Sequence, residues 1–239
     1  MKIWGEYLAL ISADAAGYAD ALAAHCADVI LLPPCSAADR RIAAHPDTLF
    51  AQIGDMLITS AAYAREFPDT ADTLCRRMAG RLILSKTSIG AQYPADVPFN
   101  IFPWREYIYG FLPHLSPDVI REAESQGKLL RAVKQGYAGC AALACGDAVI
   151  TADLTIARAA AADGADVLLA DGEKILLPGY SCGFIGGAGG TAEGAAAFFG
   201  TPSHALRERM ESRGITVLPL ADKPLTDFGG IRLVRLACR

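Results

Sequence analysis

The chain has 239 residues, of which 52% are hydrophobic and 20% charged, and its formal net charge is −4. This composition excludes a disordered chain and requires an extensive core. A slightly acidic chain has no overall field that would draw it to nucleic acid or to an anionic membrane, so we expect a small-molecule substrate as its partner and leave self-association open.

The seven cysteines argue against two kinds of structural scaffold. Their number is odd and no CxxC pair occurs, which disfavours both a disulfide framework and a zinc ribbon. No stretch has the length and apolar character of a signal peptide or a membrane span. We therefore predict a cytoplasmic protein without a bound metal or cofactor.

The first elements in chain order are an alanine-rich helix over residues 13–26 and a strand that ends before Pro33 and Pro34. A second helix is predicted over residues 61–79, with a break at Pro68 because proline lacks the amide that an inner helical turn needs. Further helices are predicted to start at Ser116-Pro117 and at Thr201-Pro202, where a hydroxyl residue precedes a proline.

A repeated phrase indicates how these elements are grouped. The segment GDMLIT (54–59) recurs as GDAVIT (146–151), and the second copy lies between a strand predicted over residues 139–144 and a helix capped by Asp153. Helices then end at or near a glycine that is followed by an apolar strand. The spacing of these glycines gives a period of about forty-five residues; they are Gly80, Gly127, Gly164 and Gly214.

Five such units are predicted, each a ββαβ unit, and residues 225–236 are predicted to complete the N-terminal unit. The expected fold is an α/β protein: one domain over residues 1–239, built as a five-bladed α/β propeller with pseudo-fivefold symmetry. A doubly wound parallel sheet is the alternative, although it normally alternates single strands with helices.

The innermost strands of such a ring would begin around one cavity, so the residues at their openings are candidates for a site. The alignment of the five openings is uncertain by one residue. This matters because a shift of one residue turns a side chain to the other face of a strand. The five openings are His45-Pro46-Asp47, Phe99-Asn100, Gly139-Cys140, Ser181-Cys182 and Thr226-Asp227.

Three short segments carry a resemblance to a known family. HPDTLF (45–50) is similar to an HxD segment, NIFPWRE (100–106) to an N-x-x-x-x-R-D stretch, and FGGIRL (228–233) to a terminal GGxRC or GGxHC. Together they resemble the pentein superfamily of guanidino-modifying enzymes. That resemblance implies a five-bladed fold, a nucleophilic cysteine, a histidine and acidic residues that hold a guanidinium. Two features depart from the pattern: Leu233 stands where the family has its cysteine, and the first two segments occur in the opposite order from arginine deiminases.

The resulting hypothesis is a cysteine-dependent hydrolase or transferase acting on a guanidine or amidine. Cys182 is the predicted nucleophile, with Cys140 as the alternative, and His45 is the predicted acid or base. Asp47 and Asp227 are predicted to grip the guanidinium, because a carboxylate accepts two parallel N–H bonds from such a group. Asn100, Cys140 and Arg232 complete the predicted substrate-binding set.

Each of these residues also has a purely structural interpretation. The cysteines can be buried small side chains, His45 can cap a strand, and the aspartates can form turns. Two other functions stay open: a binding protein on the same scaffold that has lost its nucleophile, and a Rossmann-type oxidoreductase. The last rests on the match of GAGGTA (187–192) to a dinucleotide fingerprint.

Overall fold

The computed structural model describes residues 2–236. Its strands are short, mostly of four residues, as expected where each unit contributes a small sheet. They are β1 (Trp4–Ser12), β2 (Cys26–Leu32), β3 (Phe50–Ile53), β4 (Met56–Ser60), β5 (Leu82–Ser85), β6 (Phe102–Trp104), β7 (Tyr107–Gly110), β8 (Leu129–Ala132), β9 (Ala142–Cys145), β10 (Ala148–Thr151), β11 (Asp166–Leu169), β12 (Gly189–Ala192), β13 (Ala195–Phe198), β14 (Thr216–Pro219) and β15 (Arg232–Arg235).

The helices fall into two kinds, single turns before a strand and longer crossovers between strands. They are α1 (Ala19–Ala23), α2 (Pro46–Leu49), α3 (Ala61–Glu66), α4 (Pro68–Arg77), α5 (Pro117–Ser125), α6 (Ala138–Ala141), α7 (Leu154–Ala162) and α8 (His204–Glu211). Two 3-10 helices occupy Ala13–Tyr18 and Leu112–His114.

The described strands form five three-stranded sheets with one common plan. In each sheet the central strand pairs antiparallel with one neighbour and parallel with the other. The antiparallel neighbour is joined by a tight hairpin in four of the sheets, and helical connections lead to the parallel one. The predicted units of two strands, a helix and a strand are therefore present, and the fold is mixed α/β. The alternative of one doubly wound parallel sheet is excluded.

The first sheet is completed by the far end of the described chain. Its order is β15-β1-β2, and β15 runs antiparallel to β1 with Tyr7 opposite Arg235 and Leu10 opposite Arg232. The prediction that residues 225–236 complete the N-terminal unit is confirmed, although the strand itself is shorter, Arg232–Arg235.

The repeated GD-x-x-IT phrase corresponds to the same geometry in two units. Gly54 and Gly146 form the hairpin turns with φ of 57° and 59°, a region that glycine adopts without strain. Thr59 donates its hydroxyl to the carbonyl of Leu49 at 2.8 Å, and Thr151 donates to that of Ala141 at 2.7 Å. Each threonine thus ties a central strand to the end of the single-turn helix α2 or α6.

Crossover helices pack onto the sheets through small apolar residues. In α7, capped by the Asp153 carboxylate as predicted, Ile156 and Ala160 are fully buried and join a cluster with Val149 of β10. Strands of neighbouring sheets also contact one another in succession, β6 with β9, β9 with β12, and β12 with β15. These contacts bring the starts of several sheets close together.

Some predicted boundaries were wrong. The break at Pro68 occurs as expected, between α3 and α4, and α5 is capped by Ser116. In contrast, α8 begins at His204 after a Ser203 cap, not at Thr201-Pro202. Residues 139–144 are not a continuous strand, because the end of α6 precedes β9.

The glycine fingerprint is also corrected. Residues 189–192 are strand β12, and a hairpin turn joins it to the antiparallel strand β13. A dinucleotide site needs a helix to follow the glycines, so that its N-terminus meets the pyrophosphate. The Rossmann-type alternative therefore fails here.

Candidate functional site

A cavity of about 240 Å³ gathers most of the residues singled out by the sequence. We call it the thiol cavity. Its wall includes both candidate cysteines and the candidate histidine and acids; the chemically relevant members are His45, Asp47, Tyr137, Cys140, Cys182 and Asp227. Asn100 and Arg232, also predicted to bind substrate, are not among its lining residues.

The single-turn helices α2 and α6 place these groups. His45 and Tyr137 are their respective N-cap residues, and every residue of both turns is buried. Because Thr59 and Thr151 hold the last residue of each turn, the two turns can be aligned residue by residue. In that alignment Thr48 corresponds to Cys140, and Asp47 corresponds to Gly139.

Asp227 is held by backbone donors. Its Oδ2 accepts from the Phe184 amide at 2.9 Å, and its Oδ1 accepts from the Gly229 amide at 2.9 Å. Its side chain is completely buried. A Cβ at Gly187 would overlap Oδ1, so the carboxylate rests directly on that glycine. Asp227 is therefore fixed in place before any ligand binds.

The thiol of Cys140 lies beside this carboxylate. Its Sγ donates to Asp227 Oδ2 at 3.3 Å. Burial raises the pKa of the Cys140 thiol well above its ordinary value, and the negative charges of Asp227 and Asp47 raise it further. The free protein thus holds Cys140 as a neutral thiol near neutral pH.

His45 approaches Asp227 from another side. Its Nδ1 lies 3.8 Å from Asp227 Oδ1, and the side chain is only 4% exposed. Gly229 packs against it with a φ of 78°, and a Cβ there would overlap His45 Cβ. Only a glycine fits this position, so the C-terminal segment also fixes the imidazole.

Asp47 is buried with one oxygen unsatisfied. Its Oδ1 accepts from the Thr48 hydroxyl at 3.5 Å, whereas Oδ2 has no hydrogen-bond partner among the described residues. Burial raises the pKa of Asp47, and the nearby Asp227 raises it as well, while the charges of His45 and Arg232 act in the opposite direction. Asp47 therefore has a free acceptor and an unfavourable charge, both of which a bound cation would relieve.

Asn100 supports the thiol segment. Its Oδ1 accepts from the Gly139 amide at 2.7 Å, and this bond fixes the residue that immediately precedes Cys140. The Asn100 Nδ2 is buried without a partner in the described chain. The structure thus places Asn100 against the Gly139 backbone, behind the thiol.

Cys182 occupies a different setting from Cys140. The sequence predicted that it opens an inner strand, but β12 begins only at Gly189, and Cys182 lies in the preceding loop, where it is exposed. In the fifth sheet, Gly187 stands two residues before β12, as Cys140 stands two before β9 in the fourth. Cys182 nevertheless lines the thiol cavity, so both cysteines are accessible to a ligand there.

Tyr180 also lines the thiol cavity. Its ring lies under the guanidinium of Arg41 at 4.2 Å, and Arg41 Nη1 donates to the Gly179 carbonyl at 3.2 Å. Tyr137, Phe184 and other apolar wall residues were not predicted. Tyr137 follows Gly136 as Tyr180 follows Gly179, and that repeated Gly-Tyr pair was the available signal.

Two features are absent from residues 2–236. No group of three or more histidine, cysteine or acidic side chains in this range has the geometry to hold a metal ion. None of the helices in the same range combines the length and the apolar character needed to cross a bilayer.

Comparison with known proteins identifies a family and a fold. The model of a family of unknown function, DUF6873, matches residues 11–232. No curated protein matches the sequence.

Solved structures match over almost the whole chain. A cysteine-to-serine variant of DDAH from Pseudomonas aeruginosa, complexed with citrulline, is 14% identical with a TM-score of 0.55, and the match covers 92% of this chain and 93% of that one. A histidine-to-glycine variant of dimethylarginine dimethylaminohydrolase, an adduct with S-methyl-L-thiocitrulline, gives the same identity, TM-score and coverage. SxtG, an amidinotransferase of saxitoxin biosynthesis from Microseira wollei, is 11% identical with a TM-score of 0.59, over 100% of this chain and 97% of that one. The chain thus has the pentein fold of guanidino-modifying enzymes.

Proposed function

The chain belongs to the DUF6873 family, whose function is unknown, and it has the fold of a DDAH and an amidinotransferase. From this fold and from the thiol cavity, we propose that it is a cysteine-dependent hydrolase or transferase. Its substrate would be a small molecule with a guanidine or amidine group. One observation carries this proposal: Cys140, His45, Asp47 and Asp227 line a single cavity of about 240 Å³.

The charges in the thiol cavity favour a cationic ligand. Two buried carboxylates face it, one of them with an unsatisfied oxygen, Asp47 Oδ2. A guanidinium offers several N–H donors in one plane and so suits two separate carboxylates. Its positive charge would also lower the pKa of Cys140, because the two carboxylates that raise it would be neutralised. Substrate binding would then produce the thiolate.

The proposed reaction starts from the Cys140 thiol, which gives its proton to His45. The thiolate sulfur attacks the guanidinium carbon, and the bond to one nitrogen breaks as His45 returns the proton to the departing amine. Water then adds to the same carbon and the sulfur–carbon bond breaks, which leaves a ureido product and the free thiol. In a transferase, a second amine takes the place of water. No outside oxidant or reductant is needed.

We propose Cys140 as the nucleophile in preference to Cys182. Support comes from its contact with Asp227 at 3.3 Å, because His45 Nδ1 lies 3.8 Å from the same carboxylate. A nucleophile must lie within reach of the group that takes its proton. Cys182 belongs to an exposed loop segment, and Leu233, where the pentein pattern has its cysteine, lines a different cavity.

The test uses a haloacetamidine, an amidinium with a group that a thiolate displaces, followed by mapping of the adduct. Wild-type protein is compared with Cys140→Ala and with the matched control Cys182→Ala, which changes a second cysteine of the same cavity. Release of ammonia from arginine and agmatine is measured in parallel. We expect adduct and turnover to disappear only in Cys140→Ala. Loss only in Cys182→Ala would transfer the role to Cys182.

A binding protein without catalysis is the second candidate. The observation in its favour is the strongly raised pKa of Cys140, which disfavours a thiolate in the free protein. It predicts that arginine or agmatine raises the melting temperature while no cysteine reacts and no ammonia appears. The two outcomes separate the candidates in one set of samples.

We further propose that the whole chain is one domain in which the five sheets form the blades of a propeller around a pseudo-fivefold axis. The successive contacts from β6 through β9 and β12 to β15, and the β15–β1 pairing, support it. Removal of the segment from residue 225 onward should then destabilise the whole domain, so that all five sheets are lost together. A truncated chain that unfolds like the full one would contradict the proposal.

A further inference from the structure

A second cavity lies directly behind the thiol cavity. Its volume is about 300 Å³, and six of its lining residues are glycines: Gly54, Gly139, Gly186, Gly189, Gly190 and Gly230. We call it the glycine cavity. Gly139 lines this cavity while its neighbour Cys140 lines the thiol cavity, so a single stretch of backbone separates the two.

Arg232 is the one ionisable residue among the described residues that line the glycine cavity. It gives this cavity a positive character, in contrast to the two carboxylates of the thiol cavity. The sequence resemblance assigned Arg232 to the substrate site, but its position on the opposite side of Gly139 assigns it a separate role.

The guanidinium of Arg232 has unused donors. Its Nε and Nη2 are buried and have no hydrogen-bond acceptor in the described chain. These two nitrogens form one edge of the guanidinium, the edge that presents two parallel N–H groups to a pair of oxygens. Buried charged donors without a partner are costly, so this edge is suited to an external acceptor.

The glycines of this cavity allow close backbone packing, and one of them, Gly139, lies against that edge. A Cβ at Gly139 would lie 3.0 Å from Arg232 Nη2, and one at Gly190 would overlap the Ile231 carbonyl oxygen. A Cβ at Gly186 would overlap the Ala142 carbonyl oxygen. A side chain is thus excluded at Gly139 beside the guanidinium, while Gly186 and Gly190 are required where backbone carbonyls approach closely.

We propose that the glycine cavity binds a small oxyanion, a carboxylate or a phosphate, through the Nε and Nη2 edge of Arg232. The site is distinct from the thiol cavity and holds whether or not the protein is a catalyst. Its size suits a small molecule and not a dinucleotide.

Such binding would also reach the thiol cavity. The charge of Arg232 favours ionised Asp47, and the charge of Asp47 in turn disfavours the thiolate of Cys140. An anion bound to Arg232 would therefore neutralise the charge that keeps Asp47 ionised. We expect such an anion to weaken cation binding in the thiol cavity, because a protonated Asp47 does not hold a cation.

The test measures the melting temperature with sodium acetate or sodium phosphate against sodium chloride at equal ionic strength, without substrate. At ten times its dissociation constant, a specific anion should raise the melting temperature of a chain of this size by about 3–6 °C. Acetate and phosphate separate the two sources of oxyanion, and a shift with either supports the site.

Three variants make the result specific. Arg232→Gln should abolish the shift, and Arg232→Lys should weaken binding at least about tenfold because it keeps the charge but loses the paired edge. Ala144→Leu leaves the arginine in place and fills the cavity that Ala144 lines, so it decides the question if the arginine variants fold poorly. No shift beyond chloride, or a shift that persists in both Arg232→Gln and Ala144→Leu, would overturn the proposal. Either result is independent of cysteine labelling.

Discussion

The single-turn helices α2 and α6 have the same backbone and carry different chemistry. Each precedes an inner strand, each is tied by a threonine hydroxyl to its last carbonyl, and each begins with an N-cap residue that lines the thiol cavity. Yet His45 corresponds to Tyr137, Asp47 to Gly139, and Thr48 to Cys140. The repeat therefore determines where side chains point, and the substitutions between copies determine what they can do.

The largest expected effect concerns the two N-cap residues. His45→Ala should lower kcat/KM by about 10²–10⁴-fold, because it removes the proposed acid and base. Tyr137→Phe should change it by less than about tenfold, since the Tyr137 hydroxyl donates to Asp96 and not to the reacting groups. Steady-state kinetics on the substrate identified by ammonia release would measure both. Equal losses in the two variants would mean that the turns do not differ in the way proposed.

The second prediction concerns the two threonines. Thr59→Val and Thr151→Val each leave a buried carbonyl without its donor, which should lower the free energy of unfolding by about 1–3 kcal/mol. Because the two turns are equivalent, the losses should agree within about 1 kcal/mol. Urea unfolding measures them, and Thr155→Val in α7, whose hydroxyl donates to Asp153 on the helix surface, serves as a control. A large loss in one turn only would break the equivalence.

The third prediction concerns the pH dependence of stability that Asp47 causes. The equivalent position in α6 is Gly139, which has no ionisable group. Because the pKa of Asp47 is raised in the folded state, the folded state binds the proton more tightly than the unfolded state. The associated stability is fully present below the ordinary aspartate pKa and is lost as the pH rises through the folded value. A tenfold difference in proton affinity between the two states corresponds to about 1.4 kcal/mol of unfolding free energy.

Unfolding free energies of wild type and Asp47→Asn, compared from about pH 4 to about pH 8, test this. The wild type should lose stability relative to Asp47→Asn as the pH rises, while guanidinium binding should weaken in the variant. A constant difference between the two proteins across this range would contradict the raised pKa.

The smallest expected effect concerns the contact between Arg41 and the loop that carries Gly179 and Tyr180. Arg41→Ala removes the contact with the Tyr180 ring and the hydrogen bond to Gly179. An exposed cation–π contact is weak, so KM should rise by only about two- to fivefold with kcat unchanged. Arg40→Ala, at the neighbouring position, is the matched control. A fall in kcat would indicate that Arg41 acts on the reacting groups instead.

Much of the fold was predictable because each unit repeats local signals. The GD-x-x-IT phrase fixes a hairpin turn and a threonine anchor, Pro68 and Ser116 fix helix ends, and glycines mark the strands that follow. Convergence of His45, Asp47, Cys140 and Asp227 was predictable for the same reason, since they stand at corresponding openings of the sheets.

The fifth unit shows where sequence reasoning failed. The Gly-Tyr pair at 179–180 repeats the pair at 136–137, but a longer loop separates it from its hairpin, so Cys182 was aligned with Cys140 when Gly187 holds the corresponding place. The better signal was the turn at Glu193-Gly194, where both residues have positive φ as a tight hairpin requires. The separation of Arg232 from the thiol cavity depends on which face of Gly139 it meets, and that contact joins residues far apart in the chain.

The pairing of β15 with β1 has a consequence for biosynthesis. Tyr7 lies opposite Arg235, so a chain made from the N-terminus must keep β1 without its antiparallel neighbour until the last described strand leaves the ribosome. Contacts of such long sequence separation slow folding and prolong the exposure of strand edges. Asp227 and Gly229 are synthesised at the same late stage. The Cys140 thiol of a nascent chain is therefore exposed before the carboxylate and the glycine that complete the cavity have been made. Completion of the fold and assembly of the candidate site are therefore one event.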